Sequence, residues 1–297
     1  MHAVPAASDP LPPAAPKLLV GLIGSGIQLS LTPALQEREA SQHGLRMHYQ
    51  LIDLDRTAGA PQQLPSLLEA TRIMGFAGLN ITYPCKQAVI PLLDELSADA
   101  EAMGAVNTVV LRDGRMIGHN TDASGWSWGF RRTLPDADLG CVVLLGAGGA
   151  GSAIAHAVLA LGAERLRVVD HDFVRARDLA DSLNTRYGHR AEAHADPAVA
   201  LAGATGLVHA TPTGMAKSPG LPLAAALLRS SLWVSEIVYF PLATELLRAA
   251  RALGCRTVDG GTMAVGQAVG AFELFTGRQA EPGRMERHFR QLVAPNP

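Results

Sequence analysis

The chain has 297 residues, of which 48% are hydrophobic and 18% charged, and a net charge of −2; that is a globular composition with length for about two domains. No basic excess points to nucleic acid, and no polybasic run points to a membrane surface. Cys85, Cys141 and Cys255 are widely separated and form no C-x-x-C pair, so a disulfide framework is excluded and a reducing, cytoplasmic location is expected.

Residues 1–16 hold five prolines and no apolar signal core; they read as a disordered tail. Residues 18–23 form a short apolar run, a buried strand. Gly24-x-Gly26 follows, but Leu29 stands where a dinucleotide loop would need its third glycine. Ser30 and Thr32 come next, before a helix over 33–43 with Thr32 as N-cap and Pro33 at its first position. Two hydroxyls at a helix N-terminus suit a substrate carboxylate. They would equally well cap the helix with no ligand.

A strand over 47–53 ends in Asp53, and a helix over 64–74 ends near Gly75. The strand over 76–82 runs into Asn80-Ile81-Thr82-Tyr83-Pro84-Cys85-Lys86. Lys86 is the only charged residue from Gly75 to Leu93, whereas a solvated loop lysine usually has charged neighbours. A helix is predicted over 88–96. Asn107 is a polar residue in an apolar strand, and a buried amide must find partners. Asp113-Gly114 between apolar runs predicts a hairpin. Asp122 follows Asn120 and Thr121 and precedes a helix over 123–134. It is either the N-cap of that helix or a partner for Lys86.

Residues 134–140 read as a domain boundary. Beyond them strands at 141–145, 166–169, 206–208 and 232–237 alternate with helical stretches, the pattern of a doubly wound parallel α/β sheet. Residues 141–163 carry no Asp, Glu, Lys or Arg and could span a bilayer by length. Their five glycines instead favour strand, turn and helix. A last helix is predicted over 262–276, capped by Thr262 and closed by Gly277.

The turn after the strand at 141–145 reads Gly146-x-Gly148-x-x-Gly151, within the run Gly146-Ala147-Gly148-Gly149-Ala150-Gly151. Gly146 permits a tight turn, Gly148 lets backbone approach a pyrophosphate, and Gly151 permits close helix packing. Asp170, at the end of the next strand, would accept the ribose hydroxyls. Its carboxylate repels a 2′-phosphate, and Asp172 adds a second acid, so NAD is the preferred cofactor over NADP. Arg175 would offset this only by pointing inward. A glycine-rich turn without a ligand is the competing reading.

Hydride transfer from an alcohol needs a group that takes the hydroxyl proton. None of the ten histidines forms a convincing pair. A lysine whose pKa is lowered in a dry cleft can serve instead, and Lys86 fits that description, with Asp122 as its candidate partner.

The motifs "GLIGSGIQLSLTPALQ", "GLNITYPCKQAV", "GAVNTVV", "GHNTDASG", "GAGGAG", "ATPTGM", "VYFPLATELL" and "DGGTMAVGQAVGAF" together resemble the shikimate dehydrogenase family, and within it the quinate/shikimate branch. The resemblance spans residues 18–292. It implies a substrate-binding catalytic domain of residues 17–121 and 262–297, an N-terminal α/β unit, and a Rossmann domain of residues 122–261. It implies Lys86 and Asp122 as the catalytic pair. Ser30 and Thr32 would hold the substrate carboxylate, and Thr82, Asn107 and Gln267 the ring hydroxyls. Thr211 and Met215 in "ATPTGM", with Gly260 and Met263, would lie near the nicotinamide. The implied reaction is reversible oxidation of shikimate or quinate by NAD or NADP. A small-molecule substrate is the expected partner, and a monomer or homodimer the expected assembly. The alternatives are a catalytically silent sensor of the ring acid and a dehydrogenase of an amino analogue of quinate.

Three departures from the family pattern stand out. Members that use NADP typically carry Asn-Arg-Thr where this chain has Asp170-His171-Asp172. His209 replaces a common Asn before "ATP", and Glu236 replaces a common Asp before "VYFP". Cys85 beside the lysine predicts sensitivity to thiol reagents if it is exposed.

Overall fold

The structure is a computed structural model and describes residues 15–56 and 60–294. The predicted tail therefore lies outside the described residues, except for Ala15 and Pro16. The carbonyl of Pro16 accepts the Arg46 amide at 2.9 Å, so Pro16 already belongs to the strand pairing.

The first half is built from β1 (Lys17–Gly24), α1 (Thr32–Gln42), β2 (Arg46–Asp53), α2 (Leu64–Ile73), β3 (Gly78–Ile81), α3 (Cys85–Ala88), β4 (Glu95–Leu96), α4 (Ala98–Met103), β5 (Thr108–Arg112) and β6 (Arg115–His119). The strands form one mixed sheet in the order β2-β1-β3-β5-β6-β4. β1 lies parallel to β2 and β3, and β5 pairs antiparallel with β3 and β6. The β5–β6 hairpin turns at Asp113 and Gly114, both with positive φ (52° and 78°). That is the turn the Asp-Gly pair predicted.

The predicted helix over 88–96 does not form. α3 ends at Ala88, a single 3-10 turn covers Ile90–Leu92, and Glu95–Leu96 pair with β6 as β4. Pro91 has no amide hydrogen to continue an α-helix. The apolar run there is core filler whose period matches no helix face.

The second half comprises α5 (Asp122–Thr133), β7 (Cys141–Leu145), α6 (Gly149–Ala160), β8 (Arg165–Val169), α7 (Phe173–Tyr187), β9 (Ala191–His194), α8 (Pro197–Leu201), β10 (Gly206–His209), β11 (Trp233–Glu236), α9 (Glu245–Ala252), β12 (Arg256–Val258), α10 (Gly260–Thr276) and α11 (Pro282–Val293). Its sheet is parallel throughout, in the order β12-β11-β10-β7-β8-β9. Counted from β7 this is the 6-5-4-1-2-3 order of a doubly wound dinucleotide fold, whose switch point lies between β7 and β10. The uncharged stretch of residues 141–163 is strand, loop and helix. Among the described residues no helix is long and apolar enough to cross a membrane.

β7 is buried along its whole length, as expected for a central parallel strand covered on both faces. Below the sheet Trp126 stacks on Phe130 at 4.7 Å, and Phe130 meets Trp233 edge-on at 4.8 Å. The buried Trp126 indole donates to Ser235 Oγ at 3.0 Å, so α5 is tied to β11.

The crossing of α5 and α10 is made by small residues. A Cβ on Gly125 would lie 2.4 Å from the Gln267 nitrogen, and one on Gly129 would lie 2.6 Å from Thr262. The backbones therefore touch. α10 begins two residues earlier than predicted, because Asp259 rather than Thr262 is its N-cap and accepts the Gly261 amide at 2.9 Å. Gly277 closes it at φ 66°. α11 is clamped to α1 by Glu39, which is buried and accepts two hydrogen bonds from Arg284 at 2.8 and 2.6 Å.

Candidate active site

In a parallel sheet, loops at the carboxyl ends of adjacent strands line one crevice, and both sheets use that geometry. In the first, the loops after β1 and β3 are pinned together. The Ser25 amide donates to the Tyr83 carbonyl at 2.8 Å and the Thr82 amide to the Ile23 carbonyl at 2.9 Å. A Cβ on Gly24 would collide with Thr82 Cγ2. Ser30, Thr32, Thr82 and Lys86 thus belong to one end of the first sheet.

Thr32 is the first residue of α1 and not its cap; Leu31 is the N-cap and makes no side-chain capping bond. Ser30 Oγ accepts the Thr32 amide at 3.3 Å, a weak local turn. Asp53 braces the β1 loop by accepting from the Gly26 amide at 3.0 Å and from Gln28 at 2.9 Å. Burial raises the Asp53 pKa, but Gln28 and the amides of Asp55, Gly26 and Ile27 outweigh it, so the carboxyl titrates below its usual range. The partial glycine motif here is a braced turn.

Lys86 Nζ donates to Asp122 Oδ2 at 2.5 Å. Side-chain exposure is 19% for the lysine and 6% for the aspartate, so the pair sits at the edge of water. Asp122 opens α5, whose N-cap is Thr121, and its carboxylate is turned to the lysine instead of capping the helix. Asn107 Nδ2 donates to Asp122 Oδ1 at 2.8 Å and to Thr121 Oγ1 at 3.0 Å. Asn107 Oδ1 accepts the Thr121 amide at 2.9 Å and the Thr108 hydroxyl at 2.9 Å. Both amide hydrogens of Asn107 are thus engaged in fixing Asp122 and its neighbour.

A second layer supports that amide. Asn80 Nδ2 donates to Thr108 Oγ1 at 3.1 Å, and the buried Tyr49 hydroxyl donates to Asn80 Oδ1 at 2.7 Å. Asn80 and Tyr49 escaped the sequence reading. For Asn80 the signal was a polar side chain in an otherwise apolar strand; Tyr49, in the mixed-polarity strand β2, carried none. Gln267 is half-buried on α10, and its carbonyl accepts the Thr121 hydroxyl at 3.1 Å. The small-residue crossing of α5 and α10 therefore brings the Gln267 backbone beside Thr121, the residue before Asp122.

The second sheet supplies the glycine loop. Gly146 has φ +104°, and its Cβ position lies 2.7 Å from the Ala210 carbonyl oxygen. A Cβ on Gly151 would overlap the Gly146 carbonyl, whereas around Gly148 the space is open. That is the division of labour a pyrophosphate loop requires: two glycines for packing and one facing free space at the start of α6. Asp170 Oδ2 accepts the Ala147 amide at 2.7 Å and Oδ1 the Asp172 amide at 2.9 Å. Arg175 is 61% exposed and lies 3.5 Å from Asp172, paired with the acid next to it. These residues fit a dinucleotide.

The two halves meet here. A Cβ on Gly149 would lie 3.7 Å from Lys86 Cδ, and Ser152 Oγ donates to the Met103 carbonyl at 2.9 Å. Gly149, followed by Ala150 in the first turn of α6, therefore stands next to the lysine. Met215 is 41% exposed in the loop after Thr211. Met263, by contrast, is buried in the core with Trp126, and Gly260 is pressed against the carbonyls of Ile237 and Val238, so both act from within the wall. Cys85 is fully buried, and burial raises its thiol pKa. The condition set for thiol-reagent sensitivity, an exposed Cys85, is not met: α3 turns Cys85 into the core and leaves Lys86 partly exposed.

A family model of the shikimate dehydrogenase substrate binding domain matches residues 22–109. The shikimate dehydrogenase (NADP(+)) of Streptomyces avermitilis is 60% identical over 93% of this chain and 96% of that protein. The quinate/shikimate dehydrogenase (NAD(+)) of Corynebacterium glutamicum strain R is 47% identical over 93% of this chain and 99% of that protein. Among solved structures, the quinate dehydrogenase of Corynebacterium glutamicum in complex with NAD superposes with a TM-score of 0.87 at 46% identity, covering 93% of this chain and 99% of that one.

Proposed function

The chain belongs to the shikimate dehydrogenase family, and from that premise we propose that it oxidises shikimate, and quinate as a second substrate, to the 3-dehydro acid with NAD as the preferred acceptor. The observation that carries this reading is the Lys86–Asp122 contact at 2.5 Å, set within a Cβ's reach of the dinucleotide-type loop at Gly149. A silent sensor would have no need of that alignment.

The proposal assigns residues 17–121 and 262–297 to the substrate and residues 122–261 to the dinucleotide. The dinucleotide, when bound, supplies the acceptor for a hydride from the ring carbon. The remaining work belongs to the chain. The Lys86–Asp122 pair takes the hydroxyl proton as the hydride leaves, which balances the two-electron oxidation, and returns it in the reverse direction. Asn107 keeps Asp122 from rotating away. Ser30 and Thr32 hold the ring carboxylate, and Thr82 and Gln267 the remaining hydroxyls. Asn107, also expected at a ring hydroxyl, uses both amide hydrogens on Thr121 and Asp122 and acts through Asp122 instead. These contacts select which carbon faces the acceptor, and such positioning supplies much of the rate.

Preference for NAD rests on charge. Asp170 and Asp172 would repel a 2′-phosphate held beside this loop, and Arg175 is paired with Asp172. Cofactor reduction by purified protein, with shikimate and quinate each offered NAD and NADP, tests the reading. Turnover with NAD at higher kcat/KM than with NADP is expected. Absence of turnover in all four combinations would overturn it.

A further inference from the structure

His209 and Glu236 end the neighbouring strands β10 and β11 and stand opposite each other in their register. Neither takes part in the proton transfer described above, yet both side chains are 0% exposed. Enclosing an ionisable pair sacrifices solvation that an apolar pair would not, so the pair calls for a physical reason. His209 Nδ1 lies 2.9 and 3.0 Å from the two Glu236 oxygens. Those oxygens also accept the Val238 amide and the Thr244 hydroxyl, each at 3.0 Å. An ionised carboxylate only accepts, so the hydrogen on Nδ1 points at Glu236. A neutral imidazole then presents a lone pair at Nε2. Thr211 Oγ1 lies 2.5 Å from Nε2, and to such a neutral ring it donates its hydrogen there. The same oxygen accepts the Thr213 amide at 3.3 Å.

Thr211 is also where this cluster reaches the glycine loop. A Cβ on Gly146 would lie 3.0 Å from Thr211 Cγ2. The segment carrying Thr211 thus closes the β7–β10 switch point from the far side of the loop.

We propose that Glu236, acting through His209, is a positioning device for Thr211. It fixes His209 as the Nδ1–H tautomer, turns the Thr211 hydroxyl hydrogen inward, and holds the Ala210–Thr211 backbone against the first glycine of the dinucleotide loop. The device sets dinucleotide affinity and leaves the Lys86–Asp122 chemistry untouched. This inference rests on the dinucleotide reading given above.

The test combines two readouts on the full chain. Nitrogen-15 NMR of the unliganded protein should find His209 protonated at Nδ1 and bare at Nε2, and Glu236→Gln should abolish that single state. Fluorescence titration with NADH should show affinity about tenfold weaker in Thr211→Val, the loss of one ordinary hydrogen bond, with shikimate affinity unchanged. Thr211→Val keeps the buried pair and the side-chain volume, so it remains informative where Glu236→Gln does not fold. A wild-type His209 protonated at Nε2, or NADH affinity in Thr211→Val equal to wild type, overturns the inference alone. Failure of the wild type to bind either NADH or NADPH overturns the dinucleotide reading and this inference with it.

Discussion

Lys86 and Asp122 lie 36 residues apart in sequence and 2.5 Å apart in space, joined because one follows β3 and the other opens α5. The lysine has 19% of its side chain exposed and the aspartate 6%, so a small substrate can reach the nitrogen while the carboxylate stays behind it. The account expects Asp122→Asn to lower kcat by about two to four orders of magnitude, the usual weight of a positioned proton-transfer group. Tm should fall as well, because the variant leaves Lys86 without its ion-pair partner, so kcat is the discriminating readout. A variant with near-native kcat and a lowered Tm would reverse that assignment.

Gly125→Ala tests how the substrate side is held. An alanine in a helix interior gains about 1 kcal/mol over glycine. Here the new Cβ would lie 2.4 Å from the Gln267 nitrogen and 2.8 Å from the Gly266 carbonyl carbon, both backbone atoms that cannot swing aside. Overpacking costs about 1–3 kcal/mol and should win. Chemical denaturation should show net destabilisation, and KM for shikimate should rise as Gln267 shifts. Greater stability in the variant would refute the close crossing.

The Glu39–Arg284 clamp gives a pH dependence with a definite sign. Burial raises the Glu39 pKa, but hydrogen bonds from Arg284, the Glu281 amide and His43 outweigh it, so the folded value lies below the ordinary 4.5. A depressed folded pKa means that the contribution is complete above the unfolded value and is lost as pH falls through the folded one. Glu39→Gln should therefore be less stable than wild type near neutrality, by about 1–2 kcal/mol, since Arg284 is one-third exposed and can regain water. The difference should shrink below about pH 4. Unfolding curves for both proteins across that range check it, and a constant gap would contradict it.

Cys85 should not react with an aromatic disulfide reagent in the native protein, despite its place next to Lys86, because the thiol is buried and burial raises its pKa. Cys141 and Cys255 are buried as well. All three should react with the reagent only after unfolding. Rapid native labelling of Cys85 would mean that α3 opens.

Much of this was legible in the chain because its signals are local. The strand before Gly146 and the Asp-Gly hairpin are set by apolar runs and turn chemistry within a few residues, and the structure reproduces both. Lys86 was visible as an isolated cation. The failures are tertiary. The apolar run after Lys86 carried no period that separates helix from filler, and it became a 3-10 turn and a two-residue strand. Thr262 looked like a cap, but Asp259 came first and is the stronger acceptor for a helix start. The supports of Asp122, namely Asn107, Asn80 and Tyr49, come from the residue before β5, from β3 and from β2, so no spacing rule could join them. Gln267 was reachable only through family resemblance, since a polar residue in mid-helix has no local reason to be singled out.

The most direct test of the central claim is the kcat of Lys86→Ala with NAD and saturating shikimate, measured beside its NADH affinity. The account predicts a fall in kcat of at least about a hundredfold with NADH affinity within about twofold of wild type, because the Lys86 atoms nearest Gly149 belong to its aliphatic stem. A variant that keeps most of its kcat would remove Lys86 from the chemistry.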